Sequence, residues 1–398
     1  MSPGNDDPGG WLLRSAGRAL DAARSLKGVG RWVDAVHEGE LAGTRLRVRY
    51  LGRAQRLGDS PPLCLGHHAP GPWTCVSQRE VGAVSALLGE SGAARGADTD
   101  VLVLDELLAG KVSSNDAVRF SPYVHAVLPI QKSVDAQIAA VRSKSYRRVL
   151  RQALGQGREI RVSRERADLD RFYDEMYRLT AEHRFGGRAH IVPREEILRF
   201  FDGREACLIF VAEGGRTLGG ALCYSARRFP GRLFVWKNGF VEADTLDPKT
   251  RRERTAALEA SLIAHAVEAS YTSLDLGLTS PVPSDGIFVH KRRLGCFFEP
   301  LLDAPRFLLE VRPHLQAAFF GRLPLLVGEA GDLTCLCGDA GDEGAALRLE
   351  ELLREISSPG LRRVRLYGRG ERMAGVVAHA PEELTVEWVK AEGGKEEP

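Results

Sequence analysis

Three ionisable residues late in the chain have side chains suited to moving a proton or stabilising negative charge: Asp275, His290 and Lys291. Lysine offers a fixed ammonium that stabilises an oxyanion or binds a phosphate, and histidine titrates near neutral pH. Asp275 lies between two leucines in a strand pattern, so its carboxylate points to the face opposite them. There it can accept a proton or cap the next segment. The simpler alternatives are a surface lysine on a basic helix and a packed or solvated histidine.

A second group of residues carries positive charge suited to binding phosphate. Its members at the start of one predicted helix are Lys249, Arg251, Arg252 and Arg254. The start of a helix also favours anions through its free N–H groups and its dipole, and guanidinium groups bind phosphate in a bidentate manner. A further basic helix is predicted over Val134–Leu154, for which a solvated connecting role is the simpler interpretation.

These side chains need a scaffold, and the hydrophobic periodicity of the second half predicts one. Glu213 to Arg216 has the composition of a tight turn between two strands. The predicted elements are a helix ending at Phe185, a helix over Arg194–Phe201, strands over Cys207–Ala212, Leu218–Ser225 and Arg232–Phe240, a helix over Arg252–Ser270, a strand over Ser273–Leu278, then a helix and a strand. This order predicts an α/β fold with a mixed sheet.

The length of 398 residues exceeds one ordinary core and predicts several domains. We predict a flexible segment with an amphipathic helix over 1–40 and a first α/β domain over 41–133, with strands at Thr44–Leu51, Asp100–Leu104 and His125–Ile130. The second domain is predicted over 134–325, a small α/β appendage over 326–390, and a charged, disordered tail over 391–398.

Bulk properties narrow the class of protein. The formal net charge of +2 does not indicate a general nucleic-acid binder, and no DNA partner is expected. Seven scattered cysteines do not form a disulfide framework, and no stretch reaches the roughly 18 apolar residues of a membrane span. We therefore expect a cytoplasmic protein. The residues Cys64, His67, His68 and Cys75 match no known zinc spacing, so no metal site is predicted.

One segment resembles a known family. Phe288–Gly295, with the pattern Phe-x-x-Lys-x-x-x-Gly after an Asp-x-Gly step, resembles the acetyltransferase-like (GNAT) domain of the Fem-type aminoacyl ligases and their bacterial relatives. The resemblance extends over about Ser133–Pro300, where the hairpin and the basic helix also match. It implies a GNAT-like mixed sheet flanked by helices. Because such proteins commonly carry two GNAT-like halves, it also implies that the first domain is a degenerate copy.

The resemblance implies direct transfer of an acyl or aminoacyl group from an activated donor to an amine, with a small molecule or a peptide as acceptor. Lys291 occupies the position of the family's motif lysine, which implies a catalytic role shared with Asp275 and His290. The implied donor site comprises the four cations Lys249, Arg251, Arg252 and Arg254 together with Trp236, and the implied acceptor site comprises His183, Arg184, Tyr224, Ser280 and Ser284.

The sequence is compatible with more than one acyl donor. Many acetyltransferases that use coenzyme A hold its pyrophosphate in a glycine-rich loop, whereas this chain has the basic stretch Asp247–Arg254 at that position. Either the cations replace the loop and acyl-CoA is the co-substrate, or the donor is a charged tRNA; no permanently bound cofactor is expected. The rival hypothesis is a non-enzymatic GNAT-shaped protein that binds a nucleotide or a cell-wall precursor.

Overall fold

The computed structural model describes residues 32–41, 44–53, 73–81, 98–105, 117–185, 191–243, 247–301, 307–329, 332–339, 345–356, 360–368 and 384–390. The predicted N-terminal amphipathic helix, the C-terminal tail, and the zinc-type residues Cys64, His67 and His68 lie outside these ranges. Among the described residues no helix is long and apolar enough to cross a membrane.

The first sheet has six strands in the order β3-β1-β2-β4-β13-β5. Their bounds are Trp32–Leu41 (β1), Thr44–Arg53 (β2), Thr74–Val81 (β3), Val101–Asp105 (β4), Val118–Phe120 (β5) and Phe307–Val311 (β13). The sheet is mixed, because β2 and β4 run parallel while β1 and β2 run antiparallel. The strands near Thr44, Asp100 and His125 lie where the sequence predicts them.

The second sheet has seven strands in the order β12-β6-β11-β10-β9-β8-β7. Their bounds are Val124–Pro129 (β6), Glu159–Ser163 (β7), Glu205–Glu213 (β8), Arg216–Ser225 (β9), Arg232–Phe240 (β10), Ser273–Thr279 (β11) and Phe297–Pro300 (β12). Only β10 and β11 pair in parallel within this sheet. The predicted hairpin turn joins β8 to β9, and Gly214 and Gly215 there have φ values of 56° and 77°, which suit glycine.

Helices cover both faces of the second sheet. They are α1 (Val134–Ala140), α2 (Lys144–Gly155), α3 (Arg166–Phe172), α4 (Arg178–Phe185), α5 (Arg194–Asp202), α6 (Pro248–Glu268) and α7 (Gly286–Leu294), with a π-helical turn at Tyr173–Tyr177 between α3 and α4. Strand side chains alternate between faces. Ile209 accordingly packs with α1, α2 and α6, whereas its neighbours Leu208 and Phe210 pack with α3, the π-helical turn and α5.

The third sheet has the order β14-β15-β16-β17. Its strands are Leu325–Glu329 (β14), Asp332–Gly338 (β15), Leu361–Gly368 (β16) and Thr385–Lys390 (β17), with α8 at Pro313–Arg322 and α9 at Ala345–Ile356. Helix α9 coincides with the predicted helix. Leu325 and Val327 join the core of the first sheet, whereas Leu326 joins the core of the second. The C-terminal segment therefore packs against both.

Two features differ from the sequence prediction. The helix predicted over Val134–Leu154 is two helices, because Val141 is extended and Ser143 caps a new helix by accepting the N–H of Tyr146. Strand β6 belongs to the second sheet, and β13 returns to the first. Both strands therefore cross the predicted domain boundaries, which remain predictions.

Candidate functional site

The parallel strands β10 and β11 stay together for only three pairs of residues. These pairs are Arg232 with Ser273, Leu233 with Leu274, and Phe234 with Asp275. Beyond them β10 has a register shift around Trp236, and β11 bends at Gly277, whose φ is 78°. On its other side β11 pairs with β6 both before and after this bend. Backbone pairing between β10 and β11 therefore ends at Phe234 and Asp275, and we call this unpaired stretch at the middle of the sheet the gap. A point where neighbouring parallel strands diverge is a common place for a ligand to bind.

Lys291 of α7 is anchored to the bend in β11. Its Nζ donates hydrogen bonds to the carbonyl oxygens of Gly277 at 3.0 Å and Leu278 at 2.9 Å. The residue is only 8% exposed. Burial lowers the pKa of the ammonium to about 8. An ammonium has three N–H donors, so one remains for a ligand at the gap.

Asp275 is buried on the face opposite Leu274, as strand alternation predicts. Its Oδ1 accepts the N–H of Gly277 at 2.8 Å, so the carboxylate caps the bend. Its Oδ2 lies 3.2 Å from Nδ1 of His125 and makes no well-directed hydrogen bond among the described residues. Arg232 lies 3.9 Å from the same oxygen. The same His125 nitrogen lies 3.4 Å from Oδ1, so Oδ1 supports the backbone while both carboxylate oxygens face the histidine.

The N-terminus of α6 is capped by the side chain of Asp247, the residue directly before the helix. The Asp247 carboxylate accepts the N–H groups of Lys249 at 2.9 Å and Thr250 at 3.1 Å. Hydrogen bonds from Thr250 and Lys249 lower the pKa of this carboxyl. The backbone groups that would face an anion at this helix start are therefore already used, by a group that is itself negative.

The predicted donor cations do not share one surface. Arg251 lies 2.6 Å from Nε2 of His183, and Arg184 lies within electrostatic reach of Asp285, His290 and Lys291. Arg254 instead donates to the carbonyl of Val241 at 2.6 Å, while Lys249 and Arg252 are exposed. The structure thus brings Arg251, His183 and Arg184 together near the reactive residues.

Trp236 and Tyr224 lie on the opposite face from α6. The ring of Phe200 is 4.0 Å from that of Trp236 and 4.9 Å from that of Tyr224, and Tyr224 stacks on Phe234. Burial and the negative charge of Asp275 raise the pKa of Tyr224. Tyr224 therefore joins the Asp275 side of the site, whereas Trp236 does not reach the cations of α6.

Two serines were predicted in the acceptor site. Ser280 accepts the N–H of Val282 through its Oγ, and Ser284 is exposed ahead of α7. Both lie on the loop between β11 and α7. They remain predicted acceptor contacts.

Three residues of the site were missed from sequence: His125, Tyr146 and Glu259. His125 faces Asp275 because β6 pairs with β11. The strand pattern around His125 did not indicate this pairing, so the contact could not be predicted from sequence. Glu259 gave the clearer signal, since it is a single acid within the apolar run Ala256–Leu262. Among the described residues no cluster of three or more His, Cys, Asp or Glu could hold a metal ion.

The central part of the chain matches a known protein family. Residues 140–292 match the family model described as the acetyltransferase (GNAT) domain. These residues form a GNAT domain. The GNAT domain includes β7 to β11, all of α6 and the Lys291 position, and the predicted mixed sheet flanked by helices is confirmed. No curated protein sequence matches the chain.

Three solved structures illustrate what the whole chain is similar to. FemX is 13% identical, with a TM-score of 0.35, over 72% of this chain and 89% of that one. L-PGS from Bacillus licheniformis is 12% identical, with a TM-score of 0.33, over 67% of this chain and 77% of that one. A tandem GNAT protein from the clavulanic acid biosynthesis pathway is 12% identical, with a TM-score of 0.29, over 67% and 78%.

Proposed function

We propose that this protein is an N-acyltransferase that moves an acyl or aminoacyl group directly from an activated donor to an amine, at the gap between β10 and β11. The observation that carries the proposal is Lys291, a buried ammonium fixed to the carbonyls of Gly277 and Leu278 with one N–H left for a ligand. The GNAT match over residues 140–292 supports the same reaction class.

The chemistry requires stabilisation of the negative charge that forms on the acyl oxygen when the amine attacks. A preorganised cation in a water-poor site performs this task well, because no solvent or side chain has to reorganise during the reaction. With a pKa of about 8, Lys291 is mostly charged at pH 7. Asp275 lies on the side of Tyr224 and His125, where its buried negative charge favours the approach of an ammonium group of the acceptor.

For the donor we propose an acyl thioester such as acyl-CoA, held by side-chain cations around Arg251 and Arg184 in place of a glycine loop. A charged tRNA is the second candidate, and the capped start of α6 favours it, because Asp247 uses the N–H groups that would hold a pyrophosphate. The same cap also suits the rival hypothesis of a non-enzymatic binding protein.

The experiment that tests this proposal measures both donor binding and acyl transfer with the full-length protein. Thermal shift against coenzyme A, acyl-CoAs and charged tRNA reports the donor, since a ligand that binds only the native state raises the melting temperature. A mixture of each stabilising donor with primary amines, followed by mass spectrometry, reports transfer. Formation of an amide supports the proposal, and stabilisation without any amide over the whole set favours the binding protein.

A further inference from the structure

Three helices of the GNAT domain meet at three polar side chains. Glu259 of α6 lies between Tyr146 of α2 and His290 of α7. The Glu259 Oε1 atom is 2.7 Å from Nε2 of His290, and the Tyr146 hydroxyl donates a short hydrogen bond to Oε2. The Tyr146 ring also meets the imidazole edge to face, with centroids 5.1 Å apart. Both carboxylate oxygens of Glu259 are therefore engaged.

The carboxylate is an unusual residue for its position. Glu259 lies within a stretch of α6 whose neighbours, including Leu258, Ala260 and Leu262, are core residues, and its side chain is only 14% exposed. Burial of a carboxylate is costly unless charged or hydrogen-bonding groups compensate for the lost water. An alanine would fit this helix without that cost, so the carboxylate calls for a role that an apolar residue cannot perform.

The contact between Glu259 and His290 involves one of the two ring nitrogens of His290. His290 uses Nε2 to meet Glu259, whereas its side chain is 35% exposed and its Nδ1 has no hydrogen-bond partner among the described residues. When a carboxylate binds one ring nitrogen, that nitrogen keeps its proton, so the other nitrogen is the acceptor in the neutral ring. His290 also lies within electrostatic reach of Lys291, the ammonium at the gap.

We propose that Glu259 is a positioning residue that fixes His290 with Nδ1 free to take the proton from the acceptor amine, while Tyr146 holds Glu259 in place. This inference rests on the N-acyltransferase function. In the step, the amine nitrogen bonds to the acyl carbon, and the bond from that carbon to the donor's sulfur or ester oxygen breaks with its electron pair. The amine proton passes to Nδ1 of His290 and then to the departing atom.

The groups around His290 determine whether its pKa rises or falls when Glu259 is replaced. They are Tyr146 on α2, Glu259 on α6, Arg184 at the end of α4 and Lys291 on its own helix. Burial lowers the pKa of His290, but the hydrogen bond and charge of Glu259 outweigh burial, so the pKa lies above its ordinary value. Loss of the Glu259 charge removes the raising influence, and Arg184 and Lys291 then lower the pKa further.

The test compares Glu259→Gln with the control Glu253→Gln, which changes an exposed glutamate on the same helix. Full-length protein labelled at the histidine rings is titrated by NMR, with His290 assigned by its loss in His290→Asn. We expect the His290 midpoint to fall by about 1 pH unit in Glu259→Gln and to stay unchanged in the control. Circular dichroism and melting temperature confirm that each variant folds.

The second readout is the pH profile of kcat/KM with the donor and amine found by the transfer assay. We expect its acidic inflection to move to lower pH in Glu259→Gln with the NMR midpoint, and a loss of roughly 100-fold in His290→Asn. An unchanged inflection in folded Glu259→Gln overturns the positioning role and leaves the acyltransferase intact. Absence of transfer by the wild-type protein with every donor overturns the proposed function and this inference with it.

Discussion

Nη2 of Arg251 lies 2.6 Å from Nε2 of His183, which joins the first turn of α6 to the last turn of α4. Helix α4 packs Leu179 against the core that contains α6 and Ala181 into the core on the other face of the second sheet, so α4 contacts both cores near the end of β10. There Phe240 donates its N–H to Thr180 of α4. A guanidinium can only donate, so His183 must accept through an unprotonated Nε2. This contact places one predicted donor cation beside two predicted acceptor residues, His183 and Arg184.

Replacement of Arg251 by glutamine should weaken donor binding. A charge-assisted hydrogen bond is worth about 1.5–3 kcal/mol, so we expect the KM for the donor to rise roughly tenfold or more while kcat changes less. Steady-state kinetics at fixed amine concentration measures the effect. The control is Arg227→Gln, which removes an exposed cation outside the site. Equal KM values in wild type and Arg251→Gln would remove Arg251 from the donor site.

Replacement of Lys291 by methionine should abolish most of the transfer and preserve the fold. Methionine keeps the length and apolar character of the stem but cannot stabilise an oxyanion, so kcat should fall by about 100- to 1000-fold. The exposed Lys132→Met variant serves as the matched control. A folded Lys291→Met protein with the wild-type rate would show that Lys291 only supports the bend of β11.

Lys291 should also make stability depend on pH. Its pKa is about 8 in the folded protein against 10.5 for an ordinary lysine. Between these values the unfolded chain binds more protons, so the free energy of unfolding rises with pH. This contribution is fully present above the ordinary pKa and is lost as the pH falls through about 8.

The measurement is chemical denaturation of wild type and Lys291→Met at pH 8 and pH 10. We expect wild type to gain about 2 kcal/mol relative to the variant over this interval. Lys132→Met should show no such trend, because its side chain is exposed. A pH-independent difference between wild type and Lys291→Met would mean that burial does not lower the pKa of Lys291 in the folded protein.

The salt dependence of donor binding should separate the two donor classes. Lys144, Arg148 and Arg151 are exposed on one face of α2, spaced four and three residues apart. A tRNA that contacts this face releases counterions, so affinity falls steeply with salt, and Arg148→Gln should lower the magnitude of the log–log slope by about 1. Fluorescence anisotropy with labelled tRNA measures it. A slope unaffected by Arg148→Gln would exclude tRNA docking at α2.

Short-range patterns in the sequence were sufficient to predict the local elements that build the GNAT domain. The Gly214–Gly215 turn, the strand Arg232–Phe240 and the face of Asp275 follow from short-range rules, because backbone sterics and a period of 2 or 3.6 residues act between near neighbours. The resemblance at Phe288–Gly295 likewise pointed to the family that the match over residues 140–292 identifies.

Contacts between residues that are distant in sequence became evident only in the folded chain. Strand β6 pairs with β11 across the predicted boundary and brings His125 to Asp275, and the Lys291 ammonium meets the carbonyl of Gly277 across a turn. Tyr146 and Glu259 join on helices far apart in sequence. Such contacts depend on strand register and helix packing, which are set by the burial of the whole core and leave no periodic trace in any short window of residues.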